Sequence, residues 1–333
     1  MSEISIAGLK SKVSTNKIMM ANLLLLRFWI LSSFFITSTA AFSTTTKQQQ
    51  QTPIPPGILG PPEPLKSLQV GQTLNAFRLV VPSGDDGDDD SEAQTLDFSI
   101  ERVANSPNIF LLRNFVSISE CDEIQALAEE AEMKAAETVT EGDTTSRKNC
   151  SVSWIPSSSP DGSNIVSGLV ASTVNIFLSD AVKSHPSAGV ENMQVLKYGV
   201  GGEFVHHQDG DCRILTVIYY LNGVGGTFFP LADNGGKIPK NKESVLELVN
   251  DMEPGKNGIF LMGSSNGVQG QEQDENDNKH TVMVRKGDAV AFYNYLDEGN
   301  AHLDWAALHC GSETDETKWI ANHWYRLNDL ANY

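Results

Sequence analysis

The sequence predicts an α+β chain, mainly β, in which helices come first and pack on one side of an antiparallel double sheet or barrel. Two observations carry that expectation. A capped helical pattern begins at Ser117 and a second apolar helical stretch follows it, whereas beyond Pro186 the chain changes to short β-rich runs broken by Gly, Asn and Asp. With 333 residues, the chain can bury a sizeable core as one large domain with appendages or as two small domains.

The first 41 residues stand apart from the fold. Lys10, Lys12, Lys17 and Arg27 precede the apolar stretch Phe28 to Ile36, and small residues through Ala41 follow. Positive, then apolar, then small is the order of a secretory signal. A retained anchor is the second reading, because "ANLLLL" just upstream extends the apolar span towards the ~20 residues a bilayer needs, with Arg27 in its middle. The hydroxylated, acid-free stretch "AAFSTTTKQQQQTPIPP" also resembles the second half of a two-part plastid presequence. The endoplasmic reticulum or secretory pathway is therefore the expected location, with the plastid as alternative and membrane association only if the segment is retained.

Residues 42–94 read as a low-complexity linker, rich in Gln and Pro between Thr44 and Lys66 and ending near the acidic run "GDDGDDDSE", Gly84 to Glu92. That run is expected to be a solvated loop, since it lacks the ligand spacing of a calcium site. The globular domain spans 95–333. Within it "NIFLLRNF" reads as a strand, Ser117 and Glu120 form a capping box, and Cys121, Ile124, Leu127, Ala128 and Ala131 follow at helical spacing. A second helix is expected over Asn164 to Lys183.

Strand-like runs then follow: "MQVLKY", "EFVHH", "ILTVIYYL", "GTFF", "GIFLM", "TVMV", "AVAFYN" and "WIANHWYR". Residues 232–280 interrupt them and read as an insertion with a solvated tip. Asp304 to Leu308 reads as another short strand.

The net charge of −18, from 24 Lys and Arg against 42 Asp and Glu, excludes nucleic acid as a partner, because phosphates are bound by cations. It points instead to basic or neutral peptides, though solubility accounts for it as well. Cys121, Cys150, Cys212 and Cys310 include no CxxC pair, which argues against structural zinc. One or two disulfides are permitted. Asn149-Cys150-Ser151 is a glycosylation sequon.

The chemistry concentrates in "YGVGGEFVHHQDGDCRILTVIYYLN". On a strand, residues i and i+2 share a face, so His207 and Asp209 could aim an imidazole and a carboxylate at one point. A third ligand must come from afar, and His309 is the best placed. Two His and one carboxylate suit Fe(II) and leave coordination positions open. Lys318 lies in an apolar strand, where an unpaired ammonium is costly, so an inward-pointing Lys318 needs an anion; a dicarboxylate fits, with Tyr198 as a second contact.

At this point the chain resembles the catalytic domains of prolyl 4-hydroxylases, the 2-oxoglutarate and Fe(II)-dependent dioxygenases. "QVLKYGVGGEFVHHQD", "RILTVIYYLNGV", "GTFFP", "RKGDAVAFYN" and "LH" with "KWIANHW" look like the family's successive motifs, and "NIFLLRNFVSISECDEI" and "SRKNCSVSW" like its lead-in. The resemblance implies a double-stranded β-helix, or jelly roll, with His207, Asp209 and His309 as iron ligands. It makes Lys318 and Tyr198 anchors for 2-oxoglutarate with Thr227 nearby, and sets Arg147, Glu191, Arg213 and Trp324 along a peptide groove.

The implied reaction is 4-hydroxylation of peptidyl proline in a proline-rich or other peptide, consuming O2 and 2-oxoglutarate, releasing succinate and CO2, and using L-ascorbate (vitamin C) as reductant. No catalytic residue beyond the metal centre is implied. There are departures: the family's acid before Thr227 is Gly226, an aromatic hydroxyl before the first histidine is Phe204, the spacing from His309 to Lys318 is one residue short, and the insertion is long. They keep open an oxygenase acting on lysine or another side chain, or a non-catalytic binding module.

Overall fold

The computed structural model describes residues 54–80, 94–136, 146–158, 164–235, 238–239, 241–263 and 280–332. The leader, the acidic run and the tip of the insertion lie outside these. Among the described residues no helix is long and apolar enough to cross a membrane.

The chain is mainly β. Its strands are β1 Thr73–Val80, β2 Gln94–Ala104, β3 Ile109–Arg113, β4 Lys134–Ala135, β5 Arg147–Ile155, β6 Ala188–Val190 and β7 Met193–His207, then β8 Arg213–Tyr220, β9 Gly226–Phe229, β10 Ile259–Gly263, β11 Thr281–Val284, β12 Ala289–Tyr293, β13 His309–Gly311 and β14 Lys318–Leu327. They form one curled mixed sheet in the order β1-β2-β3-β12-β8-β14-β7-β13-β9-β10-β11, with β5 on β7, β4 on β5 and β6 on β14. Only β10 and β11 pair in parallel along this path.

Strand alternation sends alternate residues to opposite faces, and the sheet uses both. On one face Leu196, Tyr198, Ile218, Tyr220, Val290, Phe292 and Ile320 meet Phe229, Ile259 and Leu261 from the far side of the curl. This is the interior of the curled sheet. On the other face Val195, Val217, Tyr219, Ala291 and Ala321 pack with Cys121, Ile124, Ile165, Leu169 and Phe177 from helices Ile118–Glu130 and Asn164–Phe177.

The capping box forms as read: Ser117 Oγ accepts from Glu120 N, and Glu120 accepts from Ser117 N at 2.8 Å. The same Glu120 carboxylate pairs with Arg78 of β1, both side chains almost fully buried. That pair explains one correction. Described residues from 54 onward are folded rather than linker: Leu59 and Leu65 are buried, and β1 lies against β2. Their sparse apolar residues are sufficient because they dock onto a core built elsewhere.

One further expectation changes. The helix expected over Asn164 to Lys183 breaks after Phe177, because the Ser179 hydroxyl caps a separate turn, Asp180–Lys183, by accepting from Val182 N. The insertion contains a helix, Lys242–Val249, capped by Asn241. All four cysteines are free thiols.

Candidate metal centre and co-substrate pocket

β7 ends at His207, and Asp209 lies just beyond it, ahead of a turn in which Asp211 and Cys212 adopt positive φ before β8 begins. β13 pairs with β7 so that His309 sits directly opposite His207. The result is a cluster whose ligand atoms all lie within 4.8 Å of one another. His207 Nε2 is 3.7 Å from Asp209 Oδ1, and His309 Nε2 is 3.8 Å from Asp209 Oδ2.

Backbone carbonyls fix the tautomers. His207 Nδ1 lies 2.9 Å from Val205 O and His309 Nδ1 lies 3.0 Å from Ala307 O. A carbonyl only accepts, so each Nδ1 carries the proton and each Nε2 presents a lone pair to the shared point. Burial and the neighbouring His309 hold His207 below its ordinary pKa, in the neutral form that a metal requires. Burial alone would raise the Asp209 carboxyl, but the two imidazoles and the Thr216 hydroxyl outweigh it and the net shift is downward. Two imidazoles and one carboxylate on one side of a point fit a ferrous ion.

Thr216 and Asn294 belong to this centre and were missed in the sequence. Thr216 Oγ1 donates to Asp209 Oδ2 at 2.8 Å and accepts from Asn294 Nδ2 at 2.9 Å. A lone hydroxyl inside the apolar run "RILTVIYY" was the available signal, since a buried hydroxyl needs a partner. Thr216→Val should lower metal affinity by about 10- to 100-fold, as loss of a ligand's outer partner typically does; equilibrium titration with Fe(II) checks this.

The walls are aromatic. The Phe204 ring stacks on His207 at 3.7 Å between centroids, while Phe229 and Phe292 lie 5.3 and 4.9 Å from His309. Asp304 to Leu308 is not the expected strand: Asp304 caps a 3-10 turn, Trp305–Ala307, by accepting from Ala306 N. Leu308 of this segment joins Leu231, Val245 and Val249 in a small apolar core, with Trp305 packed against it. The insertion's helix thus bears directly on the segment that delivers His309.

Lys318 enters the interior from the first position of β14 and is 1% exposed. Its Nζ donates to Gly226 O at 2.7 Å, and among the described residues no carboxylate lies within ion-pair distance. Burial depresses its pKa to about 8. An ammonium desolvated without a counter-ion is the cradle an anionic ligand would fill.

Tyr198 is the cross-strand partner of Lys318 and places its ring 5.5 Å from Nζ. Thr227 Oγ1 accepts from Tyr220 OH at 3.0 Å close by. Gly225 holds φ at +77°, and a Cβ there would stand 2.4 Å from Lys318 Cδ, so the lysine stem needs that glycine.

The four expected groove residues divide into two groups. Glu191 binds Arg213 through both oxygens, at 2.7 and 2.9 Å, and also meets Arg326 at 3.3 Å. The Arg213 guanidinium lies 3.9 Å over the buried Trp324 ring. Arg147 is separate, 4.1 Å over Phe204. Trp154, 45% exposed, stands 6.1 Å from Trp324.

A His-Asp-His cluster with imidazole and carboxylate donors on one side defines the two-histidine, one-carboxylate class of metal centre. Residues 193–326 match the family model of the 2OG-Fe(II) oxygenase superfamily, and the chain carries a prolyl 4-hydroxylase-like domain of that superfamily, whose cofactors are Fe(II) and 2-oxoglutarate. The mouse transmembrane prolyl 4-hydroxylase is 29% identical over 169 residues, covering 41% of this chain and 30% of the relative. The chain therefore spans less than a third of that protein's length.

Probable prolyl 4-hydroxylase 8 of Arabidopsis thaliana is 26% identical over 255 residues, covering 72% of this chain and 76% of the relative. The viral collagen prolyl hydroxylase of Paramecium bursaria Chlorella virus-1, solved with 2-oxoglutarate, aligns with a TM-score of 0.40 and 18% identity over 67% of this chain and 98% of that one.

Proposed function

We propose that the protein is an Fe(II)- and 2-oxoglutarate-dependent dioxygenase that hydroxylates peptidyl proline at the 4-position, with release of succinate and CO2. The observation that carries this reading is the placement of a three-ligand cluster and an unpaired buried lysine in one sheet interior. His207, Asp209 and His309 would hold the ion. When bound, Fe(II) supplies the activation of O2 that couples oxidative decarboxylation of 2-oxoglutarate to hydroxylation of the substrate.

The chain's own residues orient and enclose. Lys318 would take the far carboxylate of 2-oxoglutarate through a charge-assisted bond, with Tyr198 and Thr227 lining the same pocket. Phe204, Phe229 and Phe292 keep the centre dry. Arg147, Glu191, Arg213 and Trp324 would line the peptide groove, and no side chain need act as a general base. L-ascorbate is the reductant that goes with this class. The leader favours a secretory-pathway substrate, on or off the membrane according to whether residues 1–41 are retained.

Incubation of the purified protein with Fe(II), 2-oxoglutarate, ascorbate and proline-rich peptides, followed by mass spectrometry, should add one oxygen per modified proline. Peptides of unchanged mass, together with succinate release that only lysine-containing peptides stimulate, would move the assignment to another side chain.

A further inference from the structure

Among the described residues, the peptide groove of the proposed function contains one cation with no carboxylate partner. Arg213 and Arg326 are both engaged by Glu191, and Lys148 meets Glu203 at 3.3 Å on the strand facing it. Arg147 has no carboxylate within ion-pair distance among the described residues. Its contacts are the Phe204 ring and a long 3.5 Å approach to Gln194 Oε1, and its Nε is buried without a hydrogen-bond partner. A buried guanidinium donor left unsatisfied is costly, and a planar fork of donors is matched best by a carboxylate.

The position of this cation gives it a role. Arg147 sits 4.1 Å over Phe204, and Phe204 stacks 3.7 Å on His207, so the guanidinium lies two contacts from the metal cluster. These contacts laid end to end match about two residues of extended chain, at roughly 3.3–3.6 Å each. Asn322 Oδ1, on the interior face of β14, is likewise buried without a partner, so the polar lining of this face is incomplete until something occupies it.

We infer that Arg147 is a specificity residue that binds a carboxylate of the peptide substrate, selecting targets with Asp or Glu one or two positions from the hydroxylated residue. The inference rests on the proposed function for its site and reverses what the net charge of −18 alone implies. The net charge disfavours acidic peptides, while the groove beside the metal cluster attracts one acidic side chain.

The test compares proline-rich peptides that differ only in Asp or Asn near the target proline, measured for equilibrium binding and for turnover with Fe(II) and 2-oxoglutarate. The Asp peptide should bind about 10- to 100-fold more tightly, the range of a hydrogen bond to a charged group. Arg147→Gln should erase the difference, and Arg147→Lys should keep part of it. The wild-type comparison decides even if a variant misfolds: equal affinity for the two peptides overturns the inference. So does an Arg147→Gln protein that loses 2-oxoglutarate affinity yet keeps the peptide preference, since the carboxylate is then the co-substrate's. Preference in binding without hydroxylation of either peptide would sustain the Arg147 assignment and sink the proposed reaction instead.

Discussion

His309→Ala should reduce 2-oxoglutarate turnover on the order of 10³-fold or more, because losing the ion removes several kcal/mol of stabilisation at about 1.4 kcal/mol per decade. The same variant should remain folded. His309 is 4% exposed and its Nδ1 bond goes to Ala307 O, a carbonyl of its own segment. Removing an imidazole that faces a cluster of like groups relieves crowding as well as leaving a void. Succinate release measured beside a thermal melt separates these effects: lost turnover with a retained melt is expected, and retained turnover would remove His309 from the centre.

Lys318→Met has two expected effects of opposite sign. Affinity for 2-oxoglutarate should fall by about 10²- to 10⁴-fold, which corresponds to the roughly 3–5 kcal/mol lost when one partner of a buried ion pair is removed. Without co-substrate, the variant should be the more stable protein, since a buried ammonium with no counter-ion is gone. The wild type should show the pH signature of that ammonium. Its folded pKa is depressed to about 8 against an ordinary 10.5.

Between those two values the unfolded chain binds more protons than the folded one, so apo stability should rise with pH. The gain is complete above the ordinary value and lost as pH falls through about 8. Its full size is on the order of 3 kcal/mol at about 1.4 kcal/mol per pH unit. Denaturant melts of wild type and Lys318→Met across this range give the difference, which a pH-independent gap would contradict.

The site was more legible than the scaffold around it because charged and metal-type residues in apolar strands must find partners. Lys318 and Tyr198 could be paired from that rule, and they are cross-strand neighbours. His207 and Asp209 were placed together from their i, i+2 spacing, and their ligand atoms converge, with His207 the last residue of β7 and Asp209 just beyond it. Thr216 and Asn294 escaped notice because one hydroxyl and one amide carry no pattern until the fold sets them beside Asp209.

Scaffold errors arose where long-range docking overrides composition. Residues around Leu59, Leu65 and β1 are too polar to fold alone, yet Arg78 is drawn into the interior by Glu120, far along the chain. The helix within the insertion was not read from the sequence, although Val245 and Val249 recur at helical spacing and cover Leu308. Asp304 read as strand because an apolar run follows it, and its carboxylate caps a turn instead.

Anaerobic titration of the metal-free protein with Fe(II), in wild type and in Asp209→Ala, tests the metal centre most directly. One ion per wild-type chain, with affinity lost when the carboxylate is removed, is the predicted result. Undiminished Fe(II) binding by Asp209→Ala, or none by the wild type, would contradict it.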